Sequence, residues 1–379
     1  MLNKTKLKKF LKKFSLSELS GAFGDWGTLI PFIIGYISIV GLNPAGIFFC
    51  VGLTNIFLGI RYNLPLPVQP QKTIGTIAIS QKWTPDKVIS TGFGTGIIWI
   101  ILGKTKILNK ITKNIPKVTV RGIQLGLALI LGWAAFLLLN GDIILGFISI
   151  IIILIFIKKE KVPTAIILLF FGLVIIFFNK SVDFNNLFFN NSQIFSFYIP
   201  NLNDFFFGMI AAGIGQIFLT LTNVMIATIN LIQDLFPEEK NKIDANNLAL
   251  NMGTTNIISP FLGGIPLCHG SGGLASQYAF GARTGGSMIF EGILEIILGI
   301  FFSDFLMYIF ISFPKGILGA MLIYTAFLLG KISFTEFKWS NLPIIITSAL
   351  FCFFLNITVG FFIGLFLFLV SKKFFKHNN

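Results

Sequence analysis

Charge is scarce in this sequence. Only 12% of its 379 residues are Asp, Glu, Lys or Arg, about half the share of a soluble domain. Apolar residues make up 54%, and mean hydropathy is +0.84. Histidine is scarcer still: His269 and His377 are the only two. With no His-Glu-x-x-His and no Cys-x-x-Cys, an intramembrane enzyme lacks a nucleophile–base or metal constellation to work with. The three cysteines, Cys50, Cys268 and Cys352, all lie in apolar stretches. They give neither a disulfide framework nor a zinc site, so no metal and no cofactor is expected. Acidic residues are few beside basic ones, 15 against 29. No aromatic-interleaved basic groove accompanies that excess, so nucleic acid is not an expected partner.

What is present is apolar length. Apolar runs continue almost unbroken from Leu16 to Val370, and a bilayer core needs about 20 such residues per helix. The pattern predicts an all-α polytopic membrane protein of about fourteen segments. These fall near 16–40, 45–61, 68–80, 87–103, 118–138, 142–157, 163–178, 203–226, 244–262, 269–281, 285–305, 314–332, 341–356 and 358–371. Lysines cluster between the runs, at Lys4 to Lys13, Lys104 to Lys117, Lys158 to Lys161 and Lys372 to Lys376. Such clusters mark the cytoplasmic side. With both termini cytoplasmic, only Lys82, Lys87, Lys180, Lys315, Lys72 and Arg121 of the 29 basic residues fall elsewhere. The first apolar run is too long for a cleaved signal and reads as a retained helix. The expected location is the plasma (inner) membrane, with the lipid bilayer as partner and a homodimer left open.

The sequence also matches itself. Gly52, Thr54, Asn55, Ile56, Pro65 and Leu66 return as Gly253, Thr255, Asn256, Ile257, Pro266 and Leu267, at an offset of 201 without gaps. Pro116-Lys117 then returns as Pro314-Lys315, at an offset of 198. A repeat unit of seven segments is odd, so its copies must be inverted. Inverted repeats mark secondary transporters that hold substrate at mid-membrane. The two short segments fit: Leu64 to Pro70 carries three prolines, and Ile265 to Gly273 carries one proline and several glycines. A continuous helix accepts neither. Irregular backbone at that depth must be buried in protein or line a cavity. Half-helices are expected to start near Gln71 and near Gly272, and two such N-termini facing mid-membrane make an anion site.

At these same residues the chain resembles the prokaryotic and plant molybdate-transporter family, a relative of the sulfate permeases. The matching stretches are Gly21 to Thr28, Pro65 to Lys72, Arg121 to Gly126, and Pro266 to Leu274 running on to Phe280-Gly281-Ala282-Arg283. The resemblance implies a 7+7 inverted repeat with two broken helices. A basic N-terminus (1–15) would precede a core domain (16–103 with 203–305) that rocks against a gate domain (118–178 with 314–371). It implies molybdate as cargo, with tungstate admitted, imported by alternating access. The chain ends at Asn379, soon after Val370, as expected of the branch without a C-terminal regulatory domain. Sulfate or a small organic anion is the alternative cargo, since molybdate, tungstate and sulfate are all tetrahedral dianions. An anion channel is the alternative mechanism.

The candidate substrate residues are Gln69, Gln71, Lys72, Thr73, Gln216, Thr220, His269, Ser271, Gly272, Gly273 and Leu274. Ser271 to Leu274 would offer backbone N–H groups, with the glycines allowing close approach. Lys72 would offset substrate charge, or else snorkel. His269 would contact substrate or hold the break. Gln216 and Thr220 would be neutral donors or a polar helix–helix contact. Arg121 and Arg283 read as anchors. Asp25, Glu291 and Glu295 are the coupling candidates, because carboxylates inside a membrane are costly and are paired or functional. Asp25 reads equally as a group that bonds free N–H groups of a broken helix. Glu291 and Glu295 stand one turn apart where the family pattern is apolar, either for proton coupling or in a wet cytoplasmic vestibule. The topology is testable by thiol labelling. Single cysteines in place of Asn186 and Glu160, in a cysteine-free background, are expected to react with an impermeant reagent from opposite sides. Labelling of both from one side would end the fourteen-segment scheme.

Overall fold

A computed structural model describes residues 14–105, 107–108, 116–156, 164–178, 196–221, 225, 227–239, 243–334 and 338–376. Positions 160 and 186, His377, the 158–161 lysine cluster and most of the expected external loop lie outside them. The first half runs α1 (Leu16–Ala22), α2 (Trp26–Gly35), α3 (Pro44–Tyr62), β1 (Val68–Pro70), α4 (Lys72–Ser80), α5 (Pro85–Thr105), α6 (Lys117–Leu139), α7 (Ile143–Phe156) and α8 (Thr164–Phe178). The second half runs α9 (Leu202–Gly208), α10 (Ile214–Thr220), α11 (Ala227–Leu235), α12 (Ala245–Ile258), β2 (Leu267–His269) and α13 (Ser271–Ala279). It ends with α14 (Gly286–Phe301), α15 (Ser303–Ile311), α16 (Lys315–Ser333), α17 (Leu342–Phe354) and α18 (Ile357–Lys376).

Each expected segment contains helix, and the fold is the all-helical inverted repeat. Six helical spans among the described residues are long and apolar enough to cross a bilayer, or seven if α14 and α15 count as one. The helix contacts carry the two-fold relation. The third helix α3 packs on α14, while their counterparts α12 and α5 pack on each other. Helices α6 and α16, counterparts themselves, also pack together. At the centre, β1 and β2 pair antiparallel with Val68 opposite His269. Those two residues are 201 apart, so each faces its own repeat counterpart and the pseudo-two-fold passes between them.

Two features differ from the sequence expectation. The first segment is broken at Phe23–Asp25 rather than continuous. Glycines there let the chain press against the end of the second half-helix. A Cβ on Gly24 would lie 2.7 Å from the Ser276 carbonyl, and one on Gly21 would lie 2.6 Å from the Ala282 nitrogen. The eleventh segment stops at Phe301, and α15 leaves it at 86°. Phe302 adopts φ −125° and ψ 14°, outside helical geometry.

Helices α3 and α14 approach so closely that Gly52 and Gly292 are each other's neighbours. A Cβ on either would strike the other's carbonyl oxygen. Small residues serve this purpose in membranes, where close packing replaces the hydrophobic drive between helices. Gly292→Val is expected to destabilise the fold by about 1–3 kcal/mol, read as a lower thermal unfolding midpoint in detergent. Valine in place of Gly27, which borders open space, is expected to leave the midpoint nearly unchanged.

Candidate functional site

The site is built where the two chain breaks meet. Each strand needs partners for its backbone, and the structure supplies them from the repeat's own asparagines. Val68 N–H donates to Asn55 Oδ1 at 3.1 Å. Leu267 N–H donates to Asn256 Oδ1 at 2.7 Å, and Asn256 Nδ2 returns a bond to the Leu267 carbonyl at 2.8 Å. Gln71 N–H donates to the Pro266 carbonyl at 2.8 Å. The half-helices then begin at Lys72 and Ser271, with Gln71 and Gly270 as N-caps. Neither cap uses its side chain, so the strand pair rather than capping chemistry fixes the starts. The two N-termini stand at opposite ends of a three-residue pairing, a separation on the order of 10 Å.

Around this centre lie three buried polar clusters. In the first, Gln69 Nε2 donates to Asp25 Oδ1 and, at 2.7 Å, to Thr28 Oγ1. Thr28 Oγ1 donates to Asp25 Oδ1 at 2.9 Å. Asp25 is 1% exposed, and its Oδ2 has no partner. In the second, Gln216 Oε1 accepts the Thr73 N–H at 2.7 Å, and Gln216 Nε2 donates to Thr220 Oγ1 at 2.8 Å. In the third, Gln277 Nε2 donates to Glu291 Oε2 at 2.6 Å, and Asn55 Nδ2 donates to Glu295 Oε2 at 2.9 Å. Both glutamates keep their Oε1 atoms unpartnered. They lie within electrostatic range of Asp25, which in turn is in range of Lys72.

The sequence-expected residues separate into two groups. Lys72, Ser271 and Gly272 border accessible space, together with Trp26, Gly27 and Thr28. A Cβ added at Gly272 or Gly27 would meet nothing within 4 Å. Gln69, Gln71, Thr73, Gln216, Thr220, His269, Gly273 and Leu274 are buried. Among these, Gln69 Oε1, Thr73 Oγ1 and both ring nitrogens of His269 lack partners. Gln71 instead serves the break, its Nε2 donating to Thr95 Oγ1 at 3.1 Å and to the Leu267 carbonyl at 3.2 Å.

Four expectations change. Leu274 N–H is already bonded within its helix, to the Gly270 carbonyl at 3.3 Å, so it has no donor to offer an anion. Gly273 turns its vacant Cβ direction toward Pro67 Cγ and Asp25 Oδ1, at 2.8 and 2.9 Å. A larger side chain there would damage the break, and Gly272 is the glycine beside open space. Asp25 makes no side-chain cap bond to α2; Gln69 and Thr28 hold it instead. Glu291 and Glu295 are 1% and 0% exposed, which removes the wet-vestibule reading. The anchor reading suits Arg121, whose Nη1 donates to the Ile332 carbonyl at 2.9 Å. It also suits Arg283, which donates to the Tyr278 and Ala282 carbonyls at 2.6 and 2.7 Å.

Sequence reasoning gave no role to Thr28, Asn55, Asn256, Thr95 or Gln277. The signal for Asn55 and Asn256 was in plain view, since both belong to the repeated stretch.

Comparison with known proteins places this architecture. The family profile described as "Molybdate transporter of MFS superfamily" matches residues 17–131 and 208–329. Molybdate transporter 2 of Arabidopsis thaliana is 31% identical over 83% of this chain and 78% of its own length. Molybdate transporter 1 of the same plant is 28% identical over 82% and 78%. Among solved structures, the transmembrane domain of a cyanobacterium bicarbonate transporter, BicA, superposes with a TM-score of 0.68 at 13% identity. That match covers 92% of this chain and 97% of the other. The murine Solute Carrier 26 family member A9 anion transporter, in its inward-facing state, gives 0.71 at 13% identity, over 95% and 69%.

Proposed function

This chain belongs to the molybdate transporter family, a family of multi-pass membrane transporters rather than enzymes, and we propose that it imports molybdate, with tungstate as an equivalent cargo, by alternating access. The observation that carries this reading is the pair of half-helix N-termini, one from each half, set back to back on the β1–β2 pairing. Helix N-termini present unbonded N–H groups and about half a positive charge each. At and near them, Lys72, Ser271, Gly272 and Thr28 are only partly buried or exposed. A tetrahedral dianion would bind there to the N–H groups of Ser271 and Gly272, to neighbouring hydroxyls and to the Lys72 ammonium. One cation rather than several suits a carrier, because full neutralisation would slow release.

The segments bearing the two breaks, 16–103 and 203–305, form the core that carries substrate in this reading. Segments 118–178 and 314–371 form the gate. Asp25, Glu291 and Glu295 belong to the coupling apparatus: three buried carboxylates, Asp25 and Glu295 held through Gln69 and Asn55 at the first break and Glu291 through Gln277 on the second half-helix. The membrane is the plasma membrane, with both termini cytoplasmic.

Uptake into proteoliposomes tests the cargo. Excess tungstate is expected to compete with labelled molybdate at similar concentrations, and sulfate only far more weakly. Equal competition by sulfate would move the protein to the sulfate reading. In the same assay Lys72→Gln is expected to weaken binding roughly tenfold, as for loss of one charge-assisted contact. Gly272→Val is expected to abolish binding while the protein stays folded, and Arg283→Gln to leave affinity near that of the parent. The coupling role has its own check, in the pH profile of uptake. The Glu291→Gln/Glu295→Gln variant is expected to lose the parent's pH dependence; an unchanged profile would remove both residues from coupling.

A further inference from the structure

A groove of about 710 Å³ runs between α3 and α12, with the last turns of α5 along one side. Its walls are Leu53, Phe57, Ile258 and Leu262, with the hydroxyls of Thr54 and Thr255 midway. The floor is fastened where Asn251 Nδ2 donates to Tyr62 Oη at 3.0 Å. Two cations reach one end: Arg61, in the last turn of α3, and Lys104, in the last turn of α5. Both are exposed. The Arg61 guanidinium rests 5.7 Å from the Phe57 ring centre and 5.3 Å from that of Tyr62. Neither cation has a carboxylate partner among the described residues.

A basic residue in a helix's last turn complements its C-terminal dipole, which accounts for one cation per helix. It does not account for two of them converging on one groove without an acid between them. The repeat makes the point sharper. Because α3 and α12 are counterparts, their walls should be alike at both ends, as Thr54 and Thr255 are. Yet the counterpart of Arg61, at an offset of 201, is Leu262. The groove therefore has one basic end and one apolar end.

We infer that this groove binds an anionic phospholipid, with the phosphate between Arg61 and Lys104 and an acyl chain along Leu53, Phe57 and Ile258. Leu53, Phe57 and Ile258 are exposed; on a chain that spans a bilayer such apolar walls accept acyl chain, and basic side chains reach to headgroup depth. On the lysine-derived orientation the basic end is cytoplasmic, the leaflet side on which anionic lipid attracts basic residues. A bound lipid would brace α3 against α12, the two helices whose Asn55 and Asn256 hold the strand pair. The site is separate from the oxyanion site and does not depend on which anion is carried.

Lipid retention by the purified full chain, read by native mass spectrometry, tests this. The probes are dioleoyl phosphatidylglycerol, dioleoyl phosphatidylcholine and glycerol phosphate as the headgroup alone. Phosphatidylglycerol is expected to be retained about 25-fold over phosphatidylcholine, each of the two basic residues contributing roughly fivefold, and glycerol phosphate not at all. The Arg61→Gln/Lys104→Gln variant should lose the preference while keeping its phosphatidylcholine retention and unfolding midpoint. Lys82→Gln should keep the preference. Equal retention of the two lipids, an unchanged preference in the double variant, or tight retention of glycerol phosphate would overturn the proposal. A photo-crosslinking residue at Leu53, with both cations intact, gives an independent reading that survives a folding defect in the double variant. A phospholipid adduct is expected; a crosslink to a second copy of the chain would show a protein interface and overturn it.

Discussion

The constraint on which this structure rests is the cost of backbone polar groups that lack partners in hydrocarbon, several kcal/mol for each. Two chain breaks at mid-depth would be untenable separately. Side by side they satisfy one another, because Val68–Pro70 pairs with Leu267–His269 and the asparagines at 55 and 256 take up the next backbone groups. The half-helices can begin inside the protein only because that pairing exists. The close glycine contacts between α3 and α14, and between α5 and α12, bring the pieces within reach. The inverted repeat is thus a way of making two defects into one small sheet, with asparagines bonding its outer groups at Val68 and Leu267.

Symmetry builds the scaffold, and departures from it create the chemistry. Asn256 spends its amide on the Leu267 carbonyl, whereas Asn55 gives its own to Glu295. Val68 faces its counterpart His269 across the axis. Lys72 corresponds to Gly273 at the same offset, so one half-helix starts with a cation and the other with a glycine packed on Asp25. An oxyanion between the two termini would therefore meet a charged side and a backbone side. Of the buried carboxylates, Asp25 and Glu295 are tied to the first break, through Gln69 and Asn55.

Much of the fold was legible because proline and glycine report directly on backbone. Three prolines between Leu64 and Pro70 forbid a helix there, and Pro266 with the glycines up to Gly273 does the same in the second half, so the half-helix starts near Gln71 and Gly272 follow from the two breaks. What the sequence hid were facts set by partners far along the chain. The break at Phe23–Asp25 depends on Gly21 and Gly24 pressing against Ala282 and Ser276. The Thr73 N–H is occupied by a glutamine 143 residues away. Gly273 reads as an open backbone in sequence, but its free direction is filled by Asp25 and Pro67. The strand pairing itself left only an indirect trace, in the repeated asparagines, since a three-residue strand has no period to detect.

The central claim is that the dianion sits between the two half-helix N-termini. Tungsten is a strong scatterer, so a structure of the protein with bound tungstate, with an element-specific difference map, locates the oxyanion without assumption. The account predicts a single strong peak within contact distance of Lys72 and the Ser271–Gly272 backbone, on the side open to Thr28. A peak elsewhere, whether in the gate segments or beside Arg61 and Lys104, with none at the breaks, would contradict it.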